Sequence, residues 1–442
     1  MTKVITYGTY DVLHHGHIRL LERAKALGDY LIVGVTSDDF DKNRGKINVQ
    51  QSLMERIEAL RSTGIPDEII VEEYEGQKID DIRRLSVDIF TVGSDWEGKF
   101  DYLKEHCQVV YLPRTEGVSS SEVRAEKRKI HMGFVGDYET RILVKYYNEC
   151  RFVNGIEIGG VCARNENIRY VLDSQDVYIT KNYDDLLEHC DAIYVLSHPS
   201  EHYEQIKEAI NHGVHVLCES PVALSDDQYH ELTELAKKQR VVLMTSIKTA
   251  YSTAYYRLLL LVKSGRIGDI ISIDATCTSI QEVDDLKYAW NSICLWGPTA
   301  LLPIFQIMGT DYKDARIVSK LRNDDFDLFT KIDFTYPHGT ATIRVGRGIK
   351  SEGEMIISGT KGYIYIPAPW WLTDYFEIRY ENASDNRKYF YALEGEGIRY
   401  ELVDFVKAIN TGNVSAYIND DVSSAICGIM QQFYKKESMV EI

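Results

Sequence analysis

Over its first quarter this chain alternates short apolar runs with stretches of helical periodicity, and few folds accept that pattern. Val4–Thr6, Tyr30–Thr36, Glu68–Glu72, Asp88–Val92 and Val109–Leu112 read as strands. Between the first two, Ile18, Leu21 and Ala24 share one helical face. Apolar strands alternating with helices imply a parallel sheet covered on both faces. Such sheets take their ligands at the carboxyl ends of the strands. Two turns at that edge carry the functional argument.

The first turn reads Tyr7-Gly8-Thr9-Tyr10-Asp11-Val12-Leu13-His14-His15-Gly16-His17 and leads into a helix. A helix N-terminus offers free N–H groups and a positive dipole end, both suited to phosphate. His14 and His17 sit where imidazoles add hydrogen bonds to a phosphate that gains charge as it reacts. Pattern alone leaves a second reading open, in which one histidine caps the helix and the other packs beneath it. The second turn, Arg114-Thr115-Glu116-Gly117-Val118-Ser119-Ser120-Ser121, follows the fifth strand and opens another helix. Serines there are ordinary caps. Arg114 and the neighbouring donors add anion-binding capacity to the same turn.

These two turns, together with Asp95-Trp96-Glu97-Gly98-Lys99-Phe100, closely resemble the glycerol-3-phosphate cytidylyltransferases of the HxGH nucleotidyltransferase superfamily. The resemblance covers residues 1–128. It implies in-line attack of a polyol phosphate oxygen on the α-phosphorus of CTP, with pyrophosphate leaving, a reaction that needs positioning and charge neutralisation. His14, His17, Lys46 and Arg114 are the catalytic groups it implies. Gly8, Thr9, Tyr10, Asp11, Gly16, Arg44, Arg56, Asp95, Trp96, Thr115, Gly117, Ser119 and Ser120 are the implied nucleotide and substrate contacts. Lys42, Arg44 and Lys46 would otherwise read as a solvated basic loop. Mg2+ is expected as a bridge between CTP phosphates, with no protein side chain as ligand. The family carries another arginine near Gly64, for which Arg61 is the nearest substitute.

Composition narrows the setting. A net charge of −17 argues against nucleic-acid and anionic-membrane partners. No apolar run is long enough to span a bilayer, and no signal segment precedes the first strand. Eight cysteines are scattered without CxxC pairs, as in a reduced, cytoplasmic protein. A homodimer or higher homo-oligomer is the expected assembly.

A second strand–helix series starts at His131-Met132-Gly133-Phe134-Val135-Gly136, followed by a helix at Thr140–Cys150 and a strand at Ile156–Cys162. With Asp191–Leu196, His198-Pro199, Glu219-Ser220-Pro221, the Lys263–Ile270 segment and Gly359-Thr360-Lys361-Gly362, this region resembles the Gfo/Idh/MocA oxidoreductases. The expected division is 1–128, a Rossmann-like domain at 129–247, and an α+β domain with a largely antiparallel sheet at 248–442. The whole chain is then α/β in class, two Rossmann-like domains followed by that sheet.

Several groups on which that family relies are replaced here. Asp137 and Glu139 place negative charge where a pyrophosphate would lie. Ala163-Arg164 stands at the ribose-binding acid, Ser220 at the lysine, and Leu295, Thr299 and Leu302 at the positions of the histidine segment. Proton transfer to a hydroxyl needs a titratable group, so the expectation is a dehydrogenase-like region without catalysis and without NAD(P). The alternative is a bifunctional enzyme that adds NAD(P)-dependent oxidoreduction of the polyol phosphate or a sugar. A third class, a nucleotide-binding assembly or sensor protein, conflicts with the intact His14, His17, Lys46 and Arg114. The Trp370-Trp371 cluster reads as core or interface before it reads as a sugar platform.

Overall fold

The computed structural model describes the chain except residues 44–48, 50, 75, 114–128, 137–139, 165–167, 169–171, 173–176, 281–288, 324, 392–393 and 413–416. The chain divides into two compact units, Met1–Arg128 and Lys129–Ile442.

In the first unit, strands β1 (Lys3–Gly8), β2 (Tyr30–Thr36), β3 (Glu68–Glu72), β4 (Ile89–Gly93) and β5 (Gln108–Leu112) form one sheet in the order β3-β2-β1-β4-β5. All its pairings are parallel. Helices α1 (His15–Lys25), α2 (Asp38–Asn43), α3 (Leu53–Ser62) and α4 (Gln77–Leu85) lie between the strands in sequence. Successive residues feed opposite faces, as the pleat requires. Val4 and Leu31 join Leu21, Ala24 and Leu60 on one side; Ile5 and Ile32 join Ile82, Phe90 and Leu103 on the other. Burial on both faces explains why the strands read as unbroken apolar runs. Gly34 has a steric role: a Cβ there would lie 2.2 Å from the Tyr7 ring, which crosses it from the adjacent strand.

The second unit opens with another parallel sheet. Its strands are β6 (Ile130–Val135), β7 (Ile156–Cys162), β8 (Ile179–Thr180), β9 (Ala192–Val195), β10 (His215–Glu219) and β11 (Leu243–Ser246), in the order β11-β10-β9-β6-β7-β8. Strand order reverses at β6, the arrangement that leaves a ligand crevice outside the carboxyl ends. His202, buried in the helix Pro199–Asn211, ties that edge together. Its Nδ1 lies 2.8 Å from the Pro221 carbonyl and its Nε2 2.9 Å from that of Ser197. Burial lowers its pKa to about 4, against the two carbonyls, which raise it.

The remaining strands are β12 (Ile270–Thr278), β13 (Asp314–Asn323), β14 (Phe326–Thr335), β15 (Thr340–Gly346), β16 (Met355–Gly359), β17 (Tyr363–Ile366), β18 (Tyr375–Arg379), β19 (Arg387–Phe390) and β20 (Met439–Glu441). They make a mixed sheet in the order β19-β18-β17-β16-β12-β15-β14-β13-β20. Most neighbours are antiparallel, as expected, but β12 runs parallel to β15 and β13 to β20. A parallel pair needs a long crossover; between β12 and β15 it includes the helix Ser292–Met308. Sequence reading had not found that helix, because Pro298 and Pro303 lie inside it. Each interior proline costs about 3 kcal/mol. The helix is apolar nearly all round and buries Ile293, Leu301, Leu302, Ile304 and Phe305, so core packing overrides the local signal. Trp370 is wholly buried, its indole N–H donating to the Thr276 carbonyl at 3.1 Å.

Candidate active site

The first turn is held in a conformation that its residues do not prefer. Tyr10 and Val12 have φ values of 53° and 48°, left-handed backbone that costs a non-glycine residue about 1–3 kcal/mol. The surroundings over-determine it. Gln51 accepts the Val12 N–H through Oε1 at 2.8 Å, while its own N–H donates to the Asp11 carboxylate at 2.9 Å. The Thr9 hydroxyl donates to Asp41 at 2.9 Å. Next to Gln51, Ser52 and Glu55 form a capping box that starts α3.

Arg56 is the centre of this bracing. Expected to hold a substrate phosphate, it is instead fully buried. Its Nη1 donates to the carbonyls of Thr9 (2.6 Å) and Thr36 (2.9 Å), and its Nε to that of Gln51 (3.1 Å). Asp38 bonds Nη2, and Asp41 lies 3.6 Å from Nη1. One planar guanidinium thus ties the loops after β1 and β2 to the start of α3, a task its fixed fork suits better than a lysine.

His14 is the N-cap of α1: its Nδ1 accepts the Gly16 N–H at 3.1 Å. A neutral ring that accepts at Nδ1 carries its proton at Nε2, so the cap sets the tautomer and leaves Nε2–H as the donor. His17 stacks on it, ring centroids 3.8 Å apart, and meets Tyr10 edge-on at 5.5 Å. The capping role that pattern alone left open is thus taken by His14, with His17 packed against its ring. No acidic residue occupies the first turn of α1, which leaves its positive end suited to an anion. Gly8 and Thr9 are half-buried at the strand end, and Asp11 is buried.

After β4, Asp95 is exposed and Trp96 half-buried, with the Lys99 ammonium 5.0 Å from the indole. Gly64 is in left-handed conformation and Arg61 pairs with Glu58 at 2.8 Å on the surface. Arg44, Lys46, Arg114, Thr115, Gly117, Ser119 and Ser120 lie outside the described residues. Sequence reading missed Gln51, Asp38 and Asp41 as supports of the turn; the capping-box pattern at Ser52 was the available signal for the first. It also missed the buried Lys78–Glu72 pair, whose ammonium lies 4.6 Å from the Tyr7 ring. Among the described residues no three His, Cys, Asp or Glu side chains gather to hold a metal, and no helix is long and apolar enough to cross a membrane.

At the edge of the second sheet, Gly136 lets β6 press on β9: a Cβ there would lie 2.6 Å from the Leu196 carbonyl. Arg164 pairs with Glu201 at 3.0 Å beside the buried Ala163. Ser220 is buried, and Leu295 and Thr299 are half-buried. Asp137 and Glu139 lie outside the described residues. A dinucleotide would find a close turn at Gly136, but neither a carboxylate at 163–164 nor an amine at 220.

Comparison with known proteins agrees with this division. A family model described as cytidylyltransferase-like matches residues 5–126, and one described as an oxidoreductase family with an NAD-binding Rossmann fold matches residues 131–247. Glycerol-3-phosphate cytidylyltransferase of Bacillus subtilis is 51% identical over 126 residues, covering 28% of this chain and 97% of that protein. The Staphylococcus aureus protein of the same name is 48% identical, with 28% and 95% covered. Among solved structures, a 3-ketoreductase from Actinomadura kijaniata, in complex with NADP and TDP-benzene, matches with a TM-score of 0.64 at 16% identity, over 71% of this chain and 99% of that one. A UDP-N-acetylglucosamine 3-dehydrogenase from Acidithiobacillus ferrooxidans matches with 0.58 at 17%, over 70% and 98%. At such identity the likeness shows the fold.

Removing Arg56 leaves two carboxylates and three carbonyls without their cation. Arg56→Ala is expected to cost the first unit about 3–5 kcal/mol, read by denaturant unfolding, and Arg56→Lys to recover only part of it. His14→Asn keeps a side-chain acceptor for the cap but removes the ring. Its expected signature is a fall of about 10²–10³ in cytidylyl transfer with an unchanged thermal midpoint.

Proposed function

Because the chain belongs, through residues 5–126, to the cytidylyltransferase-like family, we propose that its first unit transfers CMP from CTP to glycerol 3-phosphate or a similar polyol phosphate. The products are CDP-glycerol, or its analogue, and pyrophosphate. The observation that carries this reading is the stacked pair of His14 and His17 at a helix N-terminus with no acidic residue in its first turn. The Nε2–H of His14 donates to the phosphate oxygens as charge builds on them, and His17 acts beside it. Both act by positioning and electrostatics, since phosphoryl chemistry of this kind asks for no covalent nucleophile. Lys46 and Arg114 are assigned to charge neutralisation, Ser119 and Ser120 to the β/γ end of CTP, and Thr115 to nucleotide contact. Mg2+ enters as the partner of the CTP phosphates. Arg56, Gln51, Asp11 and Asp41 act through the backbone of the turn and not on substrate.

For the second unit we infer that the lysine–histidine route of its family is closed, given Ser220, Leu295, Thr299 and Leu302 at those positions. A second reading, NAD(P)-dependent oxidoreduction, is favoured by the retained close turn at Gly136 and by the NAD-binding family that the sequence matches.

Pyrophosphate release from the full chain with CTP and Mg2+ tests both. With glycerol 3-phosphate, release independent of NAD(H) or NADP(H) is expected, and His17→Ala should abolish it without unfolding the protein. Parallel reactions with ribitol 5-phosphate and erythritol 4-phosphate identify the acceptor. Release that requires a dinucleotide, or no release with any polyol phosphate, would overturn the assignment.

A further inference from the structure

Five side chains from five elements meet beneath the carboxyl edge of the second sheet. Tyr146 comes from the helix Thr140–Cys150, Tyr194 from β9, Glu219 from the end of β10, Ser246 from the end of β11, and Glu401 from the helix Ile398–Thr411. Tyr146, Tyr194, Ser246 and Glu401 are fully buried; Glu219 is half-buried and precedes Ser220-Pro221. The two tyrosine rings stack at 4.3 Å.

Their hydrogen bonds do not balance if both carboxyls are charged. The Tyr194 hydroxyl donates to Glu219. Tyr146 contacts both Glu401 and the Ser246 hydroxyl, the latter at 2.7 Å. Ser246 in turn lies 3.2 Å from Glu219 and 3.1 Å from Glu401. Two hydroxyl hydrogens, those of Tyr146 and Ser246, would then have to serve four oxygen–oxygen contacts. Even with the Ser246 hydrogen shared between the two carboxylates, at least one contact made by Tyr146 would lack a hydrogen. One further proton, on Glu401, removes the conflict. Glu401 then donates to Tyr146, Tyr146 to Ser246, and Ser246 to the Glu219 carboxylate, head to tail, with the Ser246 hydrogen shared with the Glu401 oxygen 3.1 Å away. The other Glu401 oxygen, Oε1, is buried without a hydrogen-bond partner, as a neutral carboxyl tolerates better than a charged one.

We propose that Glu401, Tyr146 and Ser246 form a proton relay ending on Glu219, and that Glu219 is the acid–base group of a second site, at the carboxyl edge of the second sheet, for a hydroxyl- or carbonyl-bearing ligand. The step balances internally. The Glu401 proton passes to Tyr146 as the Tyr146 proton passes to Ser246 and that of Ser246 to Glu219, so each O–H bond broken is matched by one formed. Glu401 ends as carboxylate and Glu219 as carboxylic acid. Glu219 then donates to a ligand carbonyl oxygen, or, starting ionised, accepts from a ligand hydroxyl. Ligands of such sheets bind at this edge, and the relay offers the titratable group that Ser220 lacks. Burial raises the Glu401 pKa to about 8, with the Glu219 charge adding to the rise and Tyr146, Ser246 and the Ile247 N–H opposing it. Nearby, Glu396 is neutralised by Lys145 and Lys248.

Infrared spectra of the full chain test the stored proton. At pH 7 a protonated-carboxyl stretching band is expected that Glu401→Gln removes, that titrates away near pH 8, and that Tyr146→Phe shifts. A native state that binds a proton more tightly than the unfolded chain loses stability as pH rises from about 4.5 to about 8. Glu401→Gln should flatten that slope. Carbodiimide with glycinamide, which couples at protonated carboxyls, tests delivery at the edge. Glu219 labelling at pH 7.5, read by peptide mass spectrometry, should fall at least several-fold in Glu401→Gln and in Tyr146→Phe. CTP-dependent pyrophosphate release should stay unchanged in both variants, which separates this proposal from the first unit's activity, and an unchanged thermal midpoint for the second unit reports that it folds. Absence of the band at pH 7, or equal Glu219 labelling in all three proteins, would overturn the relay.

Discussion

A single buried cation organises the first unit's site. The Arg56 guanidinium reaches the carbonyls of Thr9, Thr36 and Gln51 and two aspartates at once. Burying that charge is costly unless every donor is met, and here the acceptors come from three separate segments. The loops after two strands and the start of α3 are thereby held to one geometry. The left-handed Tyr10 and Val12 persist because this scaffold leaves them no alternative. The histidine pair then stands on a helix whose entry is fixed before any substrate arrives.

The same logic recurs at the edge of the second sheet with different chemistry. There the cluster is acidic and hydroxylic, and the constraint is a count of hydrogens, not the placement of a charge. Both edges sit at the carboxyl ends of parallel strands, where helix N-termini and strand ends concentrate free polar groups. One has kept the two histidines of its family resemblance, though not the arginine expected near Gly64. The other has replaced a lysine with Ser220 and a histidine segment with residues that cannot titrate near neutrality, while a buried glutamate–tyrosine chain lies directly beneath it.

Most strands were legible because periodicity and burial coincide. Tyr30–Thr36, Glu68–Glu72 and Ile156–Cys162 fall where their apolar runs begin and end, as does the helix Thr140–Cys150. Local signals failed where packing overrides them. Pro298 and Pro303 argue against a helix, yet Ser292–Met308 is one, because every side chain on it is buried or half-buried. The edge strands β19 and β20 are short and carry charged or exposed residues such as Arg387, Lys388 and Glu441, so they show too little alternation to stand out from loops. In the candidate site the histidines and the turn glycines were plain from their order. Gln51, Asp38 and Asp41 were not, since a residue that braces a loop from another segment leaves no pattern near that loop.

By itself the sequence determined the family of the first unit and the parallel sheets of both units, because those depend on residue type at fixed spacing along strands and helices. Tertiary structure alone placed Arg56 as a buried brace between three segments, His14 as the cap of its own helix, and Glu219, Glu401, Tyr146 and Ser246 in one hydrogen-bonded cluster. Each of those depends on burial or on atoms distant in the chain: Glu401 lies 255 residues from Tyr146. Charge, tautomer and proton count are set by the surroundings of a group in space, and no spacing along the chain encodes them.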